Sequence, residues 1–163
     1  MQAEAHSAAS DPLAPHPLVE LLQCPPSVTD LLNRAARSMN FAEGEFVFHQ
    51  GAECHGLYLV VAGLFQRKTE RIETRLTLGT ARSGDLVELS AALCDGRHTC
   101  SLFAVASATV LELPLDALNR AFLEHPPLRM RLLEELGREV SRAYAATCRV
   151  RIAVTRQRAT RPE

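Results

Sequence analysis

Residues 43–63 read EGEFVFHQGAECHGLYLVVAG, two short apolar runs cut by Gly44, Gly51, Gly56 and Gly63. Runs of this length are too short for helices, and glycine supplies the positive φ that tight corners require. The pattern continues outward: "LFQRKT", "TRLTLGT", "LVEL", "SLFAVASA" and "TVLELP" carry it to residue 113, with Gly79, Gly84 and Gly96 as further breaks. A mainly β unit, a small barrel or sandwich, is predicted. Within it, "LFQRKTERIETRLTLG" forms a long hairpin whose charged middle, Arg67 to Arg75, is expected to be a solvated tip without catalytic content.

The flanks have a different period. Residues 1–17 mix Ala, Ser, His and Pro with few large apolar groups and are expected to form a disordered tail. Short helices are predicted at 18–23 and 27–38, the second capped by Ser27 or Thr29 and burying Val28, Leu31, Leu32 and Ala35. The β unit with its short helices spans 18–125. "LDALNRAFLEH" is a short amphipathic helix, and Pro126 and Pro127 restart the chain into a long one over 126–155. Along it Leu133, Leu136, Val140, Ala143, Thr147, Val150 and Val154 fall at spacings of three and four, the seam of a two-helix coil. Residues 156–163 read as a basic tail.

Composition fixes the class. The chain has 163 residues, 47% of them hydrophobic, enough for one compact domain with a real core. A net charge of -1 provides no global attraction to nucleic acid or anionic lipid. Five cysteines at irregular spacing make neither a disulfide framework nor a structural zinc site. With no signal-peptide pattern and no run of roughly 20 apolar residues, a cytoplasmic protein without a membrane partner is expected.

"EGEFVFHQG", "LYLVVAG", "SGDLVEL" and "TVLELPLDAL", in this order, resemble the cyclic-nucleotide-binding-domain superfamily. More narrowly, residues 28–150 resemble the sensory half of the catabolite-activator and fumarate-nitrate-reduction regulators. The resemblance implies an eight-stranded double-stranded β-helix, or jelly roll, with short flanking helices and a long dimerisation helix.

It also implies a ligand site in residues 84–105, GDLVELSAALCDGRHTCSLFAV. In nucleotide-binding relatives a Gly-Glu pair meets the ribose, and an Arg followed by Ser or Thr about ten residues later holds the cyclic phosphate. Glu88, followed by Leu89, keeps the acid; Val87 stands at the glycine. His98 and Thr99 fall at the Arg and Ser/Thr positions, while Arg97 comes one residue early and faces the other way unless the loop shifts. On the long helix, Glu139, Ala143 and Tyr144 replace the arginine and Thr-Ser pair that contact the purine in cyclic AMP binders. The pocket is therefore expected to be altered or degenerate, with a cyclic nucleotide possible but outside the usual pattern. A ligand is expected to touch Glu88, Arg97 and Thr99.

Other chemistries find less support. Cys24 alone cannot hold an iron-sulfur cluster that needs four ligands. His49, Cys54, His55, His98 and Cys100 are haem ligands by residue type but not by pattern, and Cys94 or Cys100 beside Arg97 or His98 offers a possible redox thiol. A cupin-like metal enzyme needs an HxH pair that the sequence lacks, and no nucleophile elbow is present. Neither a catalytic residue nor a metal ligand is predicted. The related regulators continue into a helix-turn-helix domain of roughly 70 residues. Here Arg149, Arg151, Arg156, Arg158 and Arg161 crowd the last fifteen residues, but no recognition helix follows them. DNA contact is thus expected only through a helix-turn-helix domain that is separate or missing here. The sequence reading is a homodimeric, non-enzymatic sensor of a small effector, with a constitutive, ligand-free dimeric interaction module as the alternative.

Overall fold

The computed structural model describes the backbone of residues 22–71 and 74–159, with side chains except those of 70–78, 147 and 150–159. Eight strands are formed among these residues: β1 (Arg37–Phe41), β2 (Phe46–Phe48), β3 (Gly56–Ala62), β4 (Leu64–Arg71), β5 (Thr74–Arg82), β6 (Leu86–Val87), β7 (Ser101–Ala104) and β8 (Ala108–Pro114). They make two antiparallel four-stranded sheets, ordered β1-β8-β3-β6 and β2-β7-β4-β5. Three helices flank them: α1 (Pro26–Ala35), α2 (Leu115–Glu124) and α3 (Pro126–Ala159). This is the expected jelly roll with a long C-terminal helix.

The unbroken apolar run of β3 follows from burial on both faces. Tyr58 and Val60 face the space between the sheets, with Phe48, Phe65, Val87, Cys100 and Val110. Leu57 and Leu59 face the opposite way, onto Leu32 of α1, Leu118 of α2, and Leu128 and Leu132 of α3. The same alternation in β8 sends Leu111 and Leu113 to the helices. At the end of β3, Gly63 has φ +85°, and a Cβ there would lie 2.5 Å from the Ala108 Cβ, so the corner admits only glycine.

Helix α1 departs from its expected bounds. It begins at Pro26, whose missing N–H suits a first helical position, and neither Ser27 nor Thr29 caps it; the Thr29 hydroxyl bonds back to the Pro25 carbonyl. It ends at Ala35, because Ala36 is extended (φ −62°, ψ 141°) and residues 37–41 pair with β8. Pairing along five residues outweighs a marginal last helical turn. The helix predicted at 18–23 lies outside the described residues except for Leu22 and Gln23, as does the 1–17 tail. Helix α3 continues to Ala159, so the first four residues of the expected basic tail are helical, while 160–163 lie outside the described residues.

The seam on α3 is divided between two faces. Leu128, Leu132 and Leu136 pack against the domain's own core. Met130, Leu133, Val140 and Tyr144 are exposed, with Gly137 on the same stripe at spacings of three and four. Of the predicted seam, Leu136 therefore turns inward and Ala143 lines a cavity, while Leu133 lies on the open stripe and Val140 stands between the stripe and the cavity. The side chains of Thr147, Val150 and Val154 lie outside those described.

Candidate functional site

The turn after β6 is built around a strained residue. Glu88 has φ +70°, the left-handed region that a non-glycine residue enters at a cost. That conformation turns the chain out of the sheet and into a π-helical turn, Ala91–Asp95, which closes at Gly96 with φ +67°. Residues 96–98 then pair with the segment after β2: Cys54 N–H bonds Gly96 O, His98 N–H bonds Ala52 O, and Gly51 N–H bonds His98 O. This pairing fixes which side chains point inward.

His98 points in and Arg97 points out. The Glu88 carboxylate is buried and gathers four donors: Thr99 N–H at 3.0 Å, Thr99 Oγ1 at 3.1 Å, His98 Nδ1 at 3.2 Å and Cys100 Sγ at 3.3 Å. Such a set leaves it little capacity for a further partner. The His98 ring stacks on Phe48 at 3.8 Å, with Tyr58 tilted alongside at 5.8 Å. The exposed Arg97 guanidinium donates instead to the Gly51 carbonyl at 2.9 Å. The expected clamp of Glu88 with Arg97 is thus not assembled, because the pairing of 96–98 gives residue 97 the outward parity.

Burial governs titration here. It holds His98 below the ordinary 6.5, despite the opposing pull of Glu88, and the imidazole is neutral at neutral pH. Burial, helped by the Glu88 charge, pushes the Cys100 thiol up to about 12. Cys100 is therefore a protonated donor and not the activated thiolate considered from sequence; Cys94 is exposed and unpaired. The sign for His98 follows from linkage: the unfolded chain takes up a proton near pH 6.5, the folded chain only at lower pH, so stability falls as pH drops through and below 6.5. Thermal melts from about pH 7 to about pH 5 should show a Tm loss of a few degrees that His98→Gln removes. Equal slopes for the two proteins would count against a neutral buried imidazole.

A cavity of about 220 Å³ lies between this turn and α3. The roll supplies Arg67, Val87, Glu88, Leu89, Ser90, Thr99 and Cys100; the helix supplies Leu136, Glu139, Val140 and Ala143. Six of the nine ligand positions read from sequence meet here: Val87, Glu88, Leu89, Thr99, Glu139 and Ala143. His98 stands behind Glu88, while Arg97 and the exposed Tyr144 do not reach the wall. Across the cavity Arg67 Nη1 donates to Glu139 Oε1 at 2.8 Å, tying β4 to α3.

Arg67 is the residue that the sequence reading missed. It was assigned to a solvated hairpin tip, but it pairs within the sheet with Leu102 and Gly79. Counting by two from Phe65, which is fully buried, places Arg67 on the inner face, whereas Lys68 lies outside over the Phe103 ring. That parity was the available signal. Among the described residues no three His, Cys, Asp or Glu side chains are placed to hold a metal ion, and no helix is long and apolar enough to cross a membrane.

Comparison with known proteins agrees with this geometry. The model of the cyclic nucleotide-binding domain matches residues 38–125, more than half of the chain. The chain belongs to this family. Among solved structures it is similar to the sensor domain of the transcriptional regulator DNR from Pseudomonas aeruginosa, with a TM-score of 0.67 and 20% identity, covering 80% of this chain and 87% of that one. It is also similar to the Thermus thermophilus catabolite activator protein, at a TM-score of 0.66 and 22% identity over 85% of this chain and 63% of that one. The regulatory domain of Toxoplasma gondii PKA, solved with cAMP, gives a TM-score of 0.65 and 15% identity, covering 74% and 46%. A search of curated proteins gave no match. At these identities the solved structures establish a shared fold and nothing further. Residue roles must come from the site itself.

Proposed function

We propose that this chain is a non-enzymatic, ligand-sensing and dimerisation domain of the transcription-regulator type, with a pocket altered from the cyclic-nucleotide pattern. The observation that carries this reading is the cavity itself: its wall joins the β6–β7 turn and Arg67 of β4 to four residues of α3. A ligand there contacts both elements, and it shifts the placement of α3 to the extent that it binds one placement better than another. The exposed stripe of α3 would supply the dimer seam. DNA contact would come through a helix-turn-helix domain, separate or missing here, and five unpaired cysteines favour a reducing cytoplasm.

The cyclic phosphate lacks its partner. His98, at the position where relatives carry arginine, is neutral and bonded to Glu88, and Arg67 is engaged by Glu139. Calorimetric titration with cyclic AMP and cyclic GMP should give no saturable heat up to about 1 mM. A Kd near or below about 10 μM for either would overturn the altered-pocket reading. The fully satisfied Glu88 also favours a second reading, a constitutive dimeric interaction module that needs no ligand. The two differ in whether any small molecule perturbs the cavity.

A further inference from the structure

Three charged groups line the cavity: Arg67, Glu88 and Glu139. Each has its counterpart within the fold, Arg67 with Glu139 and Glu88 with its four donors. Two carboxylates stand against one guanidinium, so a phosphate or carboxylate entering this space would meet a wall of net negative charge and find the only lining cation occupied. A cation would have to compete with groups that already satisfy both acids. The rest of the wall is chiefly apolar, through Val87, Leu89, Leu136, Val140 and Ala143.

One polar feature fits an uncharged partner. Arg67, in the wall, keeps a buried Nε–H with no acceptor among the described residues, whereas the Thr99 hydroxyl already donates to Glu88 and the Ser90 hydroxyl to Asp95. A neutral acceptor oxygen could bond to the Arg67 Nε–H without confronting a second negative charge. Size narrows the choice further. A dry cavity of about 150 Å³ holds a benzene-sized molecule, so about 220 Å³ suits a ligand of about nine or ten non-hydrogen atoms.

Resting on the reading of this cavity as the sensing site, we propose that it takes a small, uncharged, largely apolar molecule bearing one hydrogen-bond acceptor. The Arg67–Glu139 pair acts as the filter that rejects anions. Glu139 is thus a specificity-determining residue, and removing its charge should open the site to carboxylates.

Benzamide and benzoate test this directly, since they share size and shape and differ in charge. Amide shifts of Val87, Thr99 and Ala143 in two-dimensional NMR of the full chain report on the cavity. The wild type should bind benzamide saturably and benzoate at least about tenfold more weakly. Glu139→Gln should strengthen benzoate binding by about tenfold and leave benzamide within about twofold, and adding Arg67→Met should cancel the gain. Equal binding of both probes by the wild type, or an unchanged ratio in Glu139→Gln, overturns the charge filter but leaves a ligand site standing. No perturbation by either probe in either protein removes the site, and the sensing function with it.

Discussion

Glu88→Ala should lower stability by about 3–5 kcal/mol, read as a fall of about 10 °C or more in Tm or an equivalent loss in urea unfolding. The carboxylate is the common acceptor for the Thr99 amide and hydroxyl, the His98 imidazole and the Cys100 thiol. Truncation strands the buried His98 and Cys100 donors, while the exposed Thr99 can turn to water. Alanine brings no compensating backbone relief, since φ +70° is strained for any residue with a Cβ. Glu88→Gly would relieve that strain and should lose about 1 kcal/mol less than alanine. Glu88→Gln keeps one acceptor oxygen and should fall between the wild type and alanine. A loss below about 1 kcal/mol for Glu88→Ala would show that water or neighbouring groups take over the four bonds, and that the acid is not the anchor of this turn.

Val140→Asp and Leu136→Asp should part company. Val140 is 59% exposed on the α3 stripe, so an aspartate there is tolerated by the folded monomer but would bury a charge in the proposed helix-to-helix seam. The dimer dissociation constant should rise by about 100-fold, with the circular dichroism spectrum and Tm of the monomer little changed. Leu136 packs on the core formed with Leu128 and Leu132, and an aspartate there should unfold or strongly destabilise the chain itself. Sedimentation velocity at several concentrations separates the two. A dimer that survives Val140→Asp unchanged would remove the exposed stripe as the seam.

The three zones of the fold were legible because each has its own period. Alternating burial in β3 and β8, glycine corners such as Gly63 and the three-four spacing on α3 are local consequences of backbone geometry. The end of α1 was not legible. "ARSMNF" continues a plausible helix until β8 arrives from seventy residues away to pair with 37–41, and no local signal carries that partner. The stripe predicted on α3 divides between two faces for a related reason: spacings of three and four run along more than one face, and only packing on Leu128 and Leu132 decides that Leu136 turns inward.

The acid of the site was visible at Glu88, as were the departures at Val87, His98 and Glu139. Taken alone, the sequence determined the β-roll, the long helix and the residue types at the pocket, because hydrophobic period and glycine placement act over a few residues. Tertiary structure decided which charges meet. Pairing of 96–98 with 51–54 turned His98 in and Arg97 out, and the approach of α3 to β4 joined Arg67 to Glu139 across 72 positions. Charge partners are chosen by where distant segments pack, since Coulomb and hydrogen-bond energies depend on separation in space and not along the chain.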